Sequence, residues 1–242
     1  MDSSGLELAI PFFVALAAGL MRGFAGVGSG MLMAPFFVYS FGPVSTVGII
    51  ILIEIAATAQ LLPSVHRSIE WRTILPMGLA ACVAMPLGSW LLISLDTESL
   101  QFGVALLVTV CALLLMTGWR YEGSKPLVAT IGVGSLSGLL MALTSLGNPP
   151  VMLYLMSSKD PAMVNRANFT GYFALTLLAL ITLMSAGGLI GYQEILRAGL
   201  LLPGFLLATW IGSRLFQRSN EQMYRRVAFA ILLAAGIYGM LR

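Results

Sequence analysis

Two apolar stretches, residues 8–39 and 126–157, constrain this chain more than any other feature. At about 32 residues each, they exceed the ~20 that one helix needs to cross the hydrocarbon and fall well short of two crossings. Each carries a helix-breaking cluster near its middle, Gly23-Phe-Ala-Gly-Val-Gly-Ser-Gly30 in the first and Leu146-Gly-Asn-Pro-Pro150 in the second. Both read as interrupted helices. Irregular backbone at membrane depth survives only where protein or a water-filled cavity satisfies its polar groups, so paired breaks predict a solute site.

The remaining apolar runs, 44–62, 73–95, 99–119, 162–189, 195–216 and 222–241, each suit one crossing. Composition agrees: 58% of the residues are hydrophobic and 10% charged, against roughly 25% charged in water-soluble domains. The 13 Lys and Arg and the 10 Asp and Glu are scattered singly, which leaves no basic stripe for nucleic acid. Cys82 and Cys111 both lie in apolar runs, and no Cys or His cluster has metal-ligand spacing, so no metal, disulfide or cofactor is expected. The leader Met1–Ala9 carries Asp2 and Glu7 and no basic residue. It is therefore expected to stay in the mature protein rather than to be cleaved as a signal.

The two broken stretches correspond. A shift of 119 residues lays Gly19 on Gly138, Gly28 on Gly147 and Ser29 on Asn148. Further on, Gly78 and Gly88-Ser-Trp-Leu-Leu92 match Gly204 and Gly212-Ser-Arg-Leu-Phe216 with a two-residue deletion. A duplicated unit follows, with a first repeat over 1–119, a linker over 120–125 and a second repeat over 126–242.

Charge then distinguishes a broken helix that crosses once from a hairpin that enters and returns. Single crossings divide Lys and Arg evenly between the two faces. Re-entrant hairpins put ten inside and leave only Arg197 and Arg242 outside, with Arg22 in the membrane. The positive-inside rule favours hairpins. A hairpin plus three spans is an odd number of crossings, so the second repeat enters from the opposite face. The expected fold is an all-α polytopic membrane protein of two inverted repeats, each a broken or re-entrant helical hairpin plus three transmembrane helices. Hairpin arms of about 12–15 residues rise roughly 18–22 Å and would bring both breaks near the midplane.

Several residues at these breaks suit an anion. The arm that starts near Ser29, after Gly26, Gly28 and Gly30, exposes unpaired N–H groups at a positive helix end. In the second half Asn148 suits an N-cap and Pro149 and Pro150 a first turn, just after Thr144, Ser145 and Gly147. The bland alternative is that the glycines only let helices pack, as pairs such as Gly19/Gly23 and Gly134/Gly138 do. Faces of this kind left exposed would suit a homodimer. Arg22, within the proposed hydrocarbon, needs a cavity or a partner. Either it pairs with the mid-span Glu54 for structure alone, or it binds the substrate anion while Glu54 carries a coupling proton. Arg166 and Asn168, in Asn165-Arg-Ala-Asn-Phe-Thr170, are further anion candidates, with an ordinary inner-face anchor as the alternative for Arg166. Thr58 and Gln60 either line a path or bond neighbouring helices. Trp71, Trp119 and Tyr121 read as interfacial anchors. An intramembrane hydrolase built on Ser29 lacks a base, because the single histidine, His66, falls in an inner loop. A passive anion channel is the alternative to a carrier, since half-helix ends also line filters.

The string Ala18-Gly-Leu-Met-Arg-Gly-Phe-Ala-Gly-Val-Gly-Ser-Gly-Met-Leu-Met-Ala-Pro35, its counterpart from Gly138 to Tyr154 and the duplicated layout resemble the TauE/SafE family of sulfite exporters and related anion permeases. The resemblance covers nearly the whole chain. It implies movement of a small sulfur-containing or organic anion such as sulfite, sulfoacetate or another sulfonate across the bacterial inner membrane. The family's first glycine-rich motif carries over to Gly23, Gly26, Gly28, Gly30 and Pro35, and its second to Gly147, Pro149 and Pro150. Ser29 and Asn148 depart from its common glycine-rich form.

Overall fold

A computed structural model describes residues 3–94, 125–144, 148–157, 160–188 and 190–220, together with 222, 223, 226, 227 and 230. The predicted run 99–119 and most of 222–241 lie outside these. Helix α1 (Ser3–Ala25) ends at the glycine cluster, where Gly26 and Gly28 take φ of 78° and 98°. That left-handed region is costly for any residue with a Cβ, and it turns the chain out of α1. Helix α2 (Ser29–Phe41) follows, then α3 (Pro43–Val65), with Pro43 in its first turn where a missing N–H costs nothing. After a 3₁₀ turn (His66–Ser68) come α4 (Trp71–Ser94), α5 (Leu127–Thr144), α6 (Asn148–Ser157), α7 (Ala162–Ala186) and α8 (Tyr192–Gln217). Among the described residues there is no strand.

Segments within α3 to the 3₁₀ turn, α4, α7 and α8 are long and apolar enough to cross a membrane. Their surfaces are arranged for lipid. Val83, Val128, Leu178 and Leu200 face outward, while Arg22, Glu54, Asn165 and Arg166 are buried. Charge inside and hydrocarbon outside is the arrangement a bilayer requires.

The arms around the first break are unequal, 23 residues in α1 against 13 in α2, rather than the 12–15 expected of each. The break falls at Gly26–Gly28, within the predicted cluster Gly23–Gly30. Gly23 lies within α1, and the carbonyl of Thr209 on α8 presses against it where a Cβ would stand. It serves close packing, and the turn is left to Gly26 and Gly28. Arms α5 and α6 are again long and short, at 18 and 10 residues.

Helix pairings come in matched sets: α1 packs on α8 and α5 on α4, α3 on α8 and α7 on α4, α1 on α2 and α5 on α6, α2 on α3 and α6 on α7. Individual residues match too. A Cβ at Gly19 would meet the Phe205 carbonyl, and one at Gly138 the Ala81 carbonyl. A Cβ at Gly212 would meet the Leu20 carbonyl, and one at Gly88 the Leu139 carbonyl. Lipid supplies little hydrophobic drive between helices, so such backbone approach, with its dispersion contacts, is what holds them together. Helix α3 also meets α7 directly. It divides the interior, giving Ile51 and Ile55 to one apolar cluster and Ile49, Ile53 and Ala57 to another.

Candidate functional site: two arginines at a broken helix

A helix C-terminus presents carbonyls beyond the reach of its own N–H groups and favours cations. Two arginines meet that need. Arg22, in the last turn of α1, donates from one terminal nitrogen to the Gly26 carbonyl and from the other to Thr58 Oγ1 at 2.8 Å. Arg166 reaches across from α7 and donates to the Gly23 carbonyl from Nε at 3.1 Å and from a terminal nitrogen at 2.8 Å, and to Ser213 Oγ at 2.9 Å. Both are sealed from solvent, at 0% and 3% exposure. Each guanidinium also lies over an aromatic ring, Arg22 4.2 Å from the Phe173 centroid and Arg166 4.9 Å from that of Phe216. Gly26 is needed here twice, because besides its positive φ a Cβ would press on Arg166 Cγ at 3.0 Å.

On the other side of the break the polarity reverses. Helix α2 starts at Ser29 with its positive end toward the break, and the nearby anion is the protein's own: Ser29 Oγ donates to Glu54 Oε1. The other carboxylate oxygen, Oε2, stands 3.0 Å from Arg22 Nε. That contact is ionic but not aligned, so neither Nε nor Oε2 has a hydrogen-bond partner although both are buried. Breaking such a pair from one side leaves an uncompensated buried charge, at about 3–5 kcal/mol.

Of the residues predicted for a site, the structure brings together Arg22, Gly26, Gly28, Ser29, Gly30, Glu54 and Arg166, with Thr58 as a direct partner of Arg22. Gln60 instead bonds the Leu206 carbonyl at 3.2 Å, and His66 is exposed, its Nδ1 2.9 Å from the Pro63 carbonyl. Asn168 belongs to a different cluster. Its Oδ1 accepts from the Glu70 N–H at 2.8 Å and its Nδ2 donates to Glu70 Oε2 at 3.2 Å. There Lys125 bridges Glu70 Oε2 at 2.8 Å and Asp160 Oδ2 at 2.6 Å, beside an open depression of about 480 Å³ that Trp71, Arg72 and Thr73 also line. Partial burial of Lys125 opposes its charge, but hydrogen bonds and attraction from Asp160 and Glu70 outweigh this and raise its pKa above the usual lysine value. Thr144 ends α5 and Asn148 opens α6, while Ser145 and Gly147 lie outside the described residues.

Sequence reasoning missed Phe173, Ser213, Phe216 and the Gly23 carbonyl. Phe173 had a signal, since the 119-residue shift lays it on Glu54. The others are fixed only by how α7 and α8 pack on α1.

Residues 11–239 match the sulfite exporter TauE/SafE family. A protein of Cupriavidus necator named "Probable sulfite/organosulfonate exporter TauE" is 23% identical over 226 residues, covering 89% of this chain and 87% of that protein. No solved structure matches the chain. With its apolar crossing helices, its charges turned inward and a family match over nearly its whole length, the chain belongs to the TauE/SafE family of sulfite exporters.

Proposed function

We propose that the protein is a secondary transporter that moves a small sulfur-containing or organic anion, such as sulfite, sulfoacetate or another sulfonate, across the bacterial inner membrane by alternating access. The anion binds at the first break, where Arg22 and the start of α2 at Ser29 supply cationic and hydrogen-bonding donors, and Glu54 carries a coupling proton. The second break, with Thr144, Ser145, Gly147 and Asn148, completes the site from the opposite repeat, and Arg166 positions the end of α1. The repeats are 1–119 and 126–242, inverted in the membrane. The matched glycine approaches of α1 on α8 and α5 on α4 support that reading.

One observation carries the proposal: a fully buried guanidinium and a buried carboxylate meet at a helix break inside the bundle. Charge buried among membrane helices is costly and marks solute pathways. The test is flux in liposomes. Saturable sulfite or sulfonate transport with counterflow is expected of the native protein, and Arg22→Gln should abolish it while the protein stays folded. Linear, non-saturating flux would instead identify a channel.

A further inference from the structure

We infer that Glu54 is a built-in competitor for the transported anion: its carboxylate occupies the donors that the substrate uses, and the substrate displaces it as Glu54 takes up a proton. The inference rests on the transport reading above. Glu54 presents two oxygens on one atom, Oε1 to Ser29 Oγ at the start of α2 and Oε2 to Arg22 Nε at 3.0 Å. A sulfonate or sulfite presents the same edge, two oxygens on one central atom, and so can take both donors together.

The resident carboxylate fits the place imperfectly. Arg22 Nε and Glu54 Oε2 are both buried and both lack an aligned hydrogen-bond partner, so the pair leaves a donor and an acceptor unsatisfied where a better-placed oxyanion would use the donor. Two anions side by side would need a second cation turned toward them. Around Glu54, α1 contributes Arg22, and α7 contributes Arg166, whose donors are directed at Gly23 and Ser213. Helix α2 offers the Ser29 hydroxyl, and its one titratable group, Tyr39, is 83% exposed. Helix α8 carries Glu194, Arg197 and Arg214 near its ends, and His66 and Arg67 lie in the exposed turn beyond α3. The other buried cation among these, Arg166, is directed at Gly23 and Ser213 rather than at Glu54. A displaced Glu54 must accept a proton from water, which leaves the site with one negative charge whether Glu54 or the substrate holds it. Anion and proton then bind together, and the exchange is electroneutral within the membrane.

The experiment uses the full-length protein in lipid nanodiscs with ethanesulfonate, which has no titratable proton near neutral pH. Calorimetry in buffers of different ionisation enthalpy counts the protons taken up per anion bound, from about pH 5 to 9. Competition predicts uptake approaching one proton and an affinity that falls by about tenfold per pH unit once Glu54 is ionised. Glu54→Gln should bind ethanesulfonate at least as tightly, without proton uptake and without that pH dependence. Binding by the native protein with no proton uptake at any pH overturns the displacement alone, and this holds even if the variant does not fold. Loss of binding in a folded Glu54→Gln also overturns it, because Glu54 would then help to hold the anion. No saturable binding of ethanesulfonate or of sulfite by the native protein overturns the transport reading, and the displacement with it.

Discussion

Phe173 stands in the second half where Glu54 stands in the first, 119 positions on, and the Arg22 guanidinium contacts both. It is 3.0 Å from the Glu54 carboxylate and 4.2 Å from the centre of the Phe173 ring. The same cation meets both an anion and a π-system, so it can be desolvated without a second carboxylate. Positions 119 apart thus carry unlike side chains, and the ion pair stands at the first break.

A purely structural ion pair and a transport site differ in what a double replacement restores. Arg22→Met alone leaves Glu54 buried and unpaired and should cost about 3–5 kcal/mol. Joining it with Glu54→Met removes both charges and should recover most of that, since apolar residues often replace a buried pair with little loss. Thermal unfolding in detergent measures the recovery. Liposome flux should stay at background in the double variant, and restored flux would show the pair to be structural only.

The close approaches between helices should respond alike in the two halves. Gly19→Ala and Gly138→Ala each drive a methyl into a backbone carbonyl, of Phe205 and of Ala81, that cannot rotate away. Overpacking costs about 1–3 kcal/mol, and fixed backbone puts these two at the upper end. Gly132→Ala, with nothing within 4 Å of the added Cβ, serves as the neutral control. Melting temperatures of the three variants decide the point.

Much of this frame was legible in sequence because hydrocarbon thickness and helix rise set segment length. The runs 44–62, 73–95, 162–189 and 195–216 became Pro43–Val65, Trp71–Ser94, Ala162–Ala186 and Tyr192–Gln217. What sequence could not supply was direction around a helix and distance through space. Arg166 and Asn168 look adjacent, but two positions on a helix are about 200° apart, so one reaches α1 and the other Glu70. The bond from Arg166 to the Gly23 carbonyl joins residues 143 positions apart, and no local pattern encodes it. Within the cluster Gly23–Gly30, a glycine used for packing and a glycine used for turning are the same letter, and only the fold separates Gly23 from Gly26 and Gly28.

Gly26 and Gly28 test that distinction. Gly28→Ala must hold φ near 98°, where an L-residue pays of order 1–3 kcal/mol. Gly26→Ala adds pressure on Arg166 Cγ to the same strain at φ 78°, so it should be the more damaging of the two. Flux and melting temperature measured together should fall in that order, with Gly42→Ala, at φ 80° but in open space, lowering stability without touching transport.

Lys125 offers a last test, away from the buried pair. It ties Glu70, just before α4, to Asp160, just before α7, so it joins the starts of two crossing helices at one face. Glu70 is 40% exposed and solvent screens its share, so Lys125→Met should cost about 1 kcal/mol rather than a buried pair's worth. Because the folded protein raises the pKa of Lys125, its contribution is complete below the ordinary lysine value of 10.5 and disappears as pH rises through the raised one. The difference in melting temperature between native and Lys125→Met protein should therefore be constant from about pH 6 to 9 and close only at strongly alkaline pH. It should also shrink in high salt, since the cluster borders an open depression. A difference that changed near neutral pH would place its origin in some group other than this lysine.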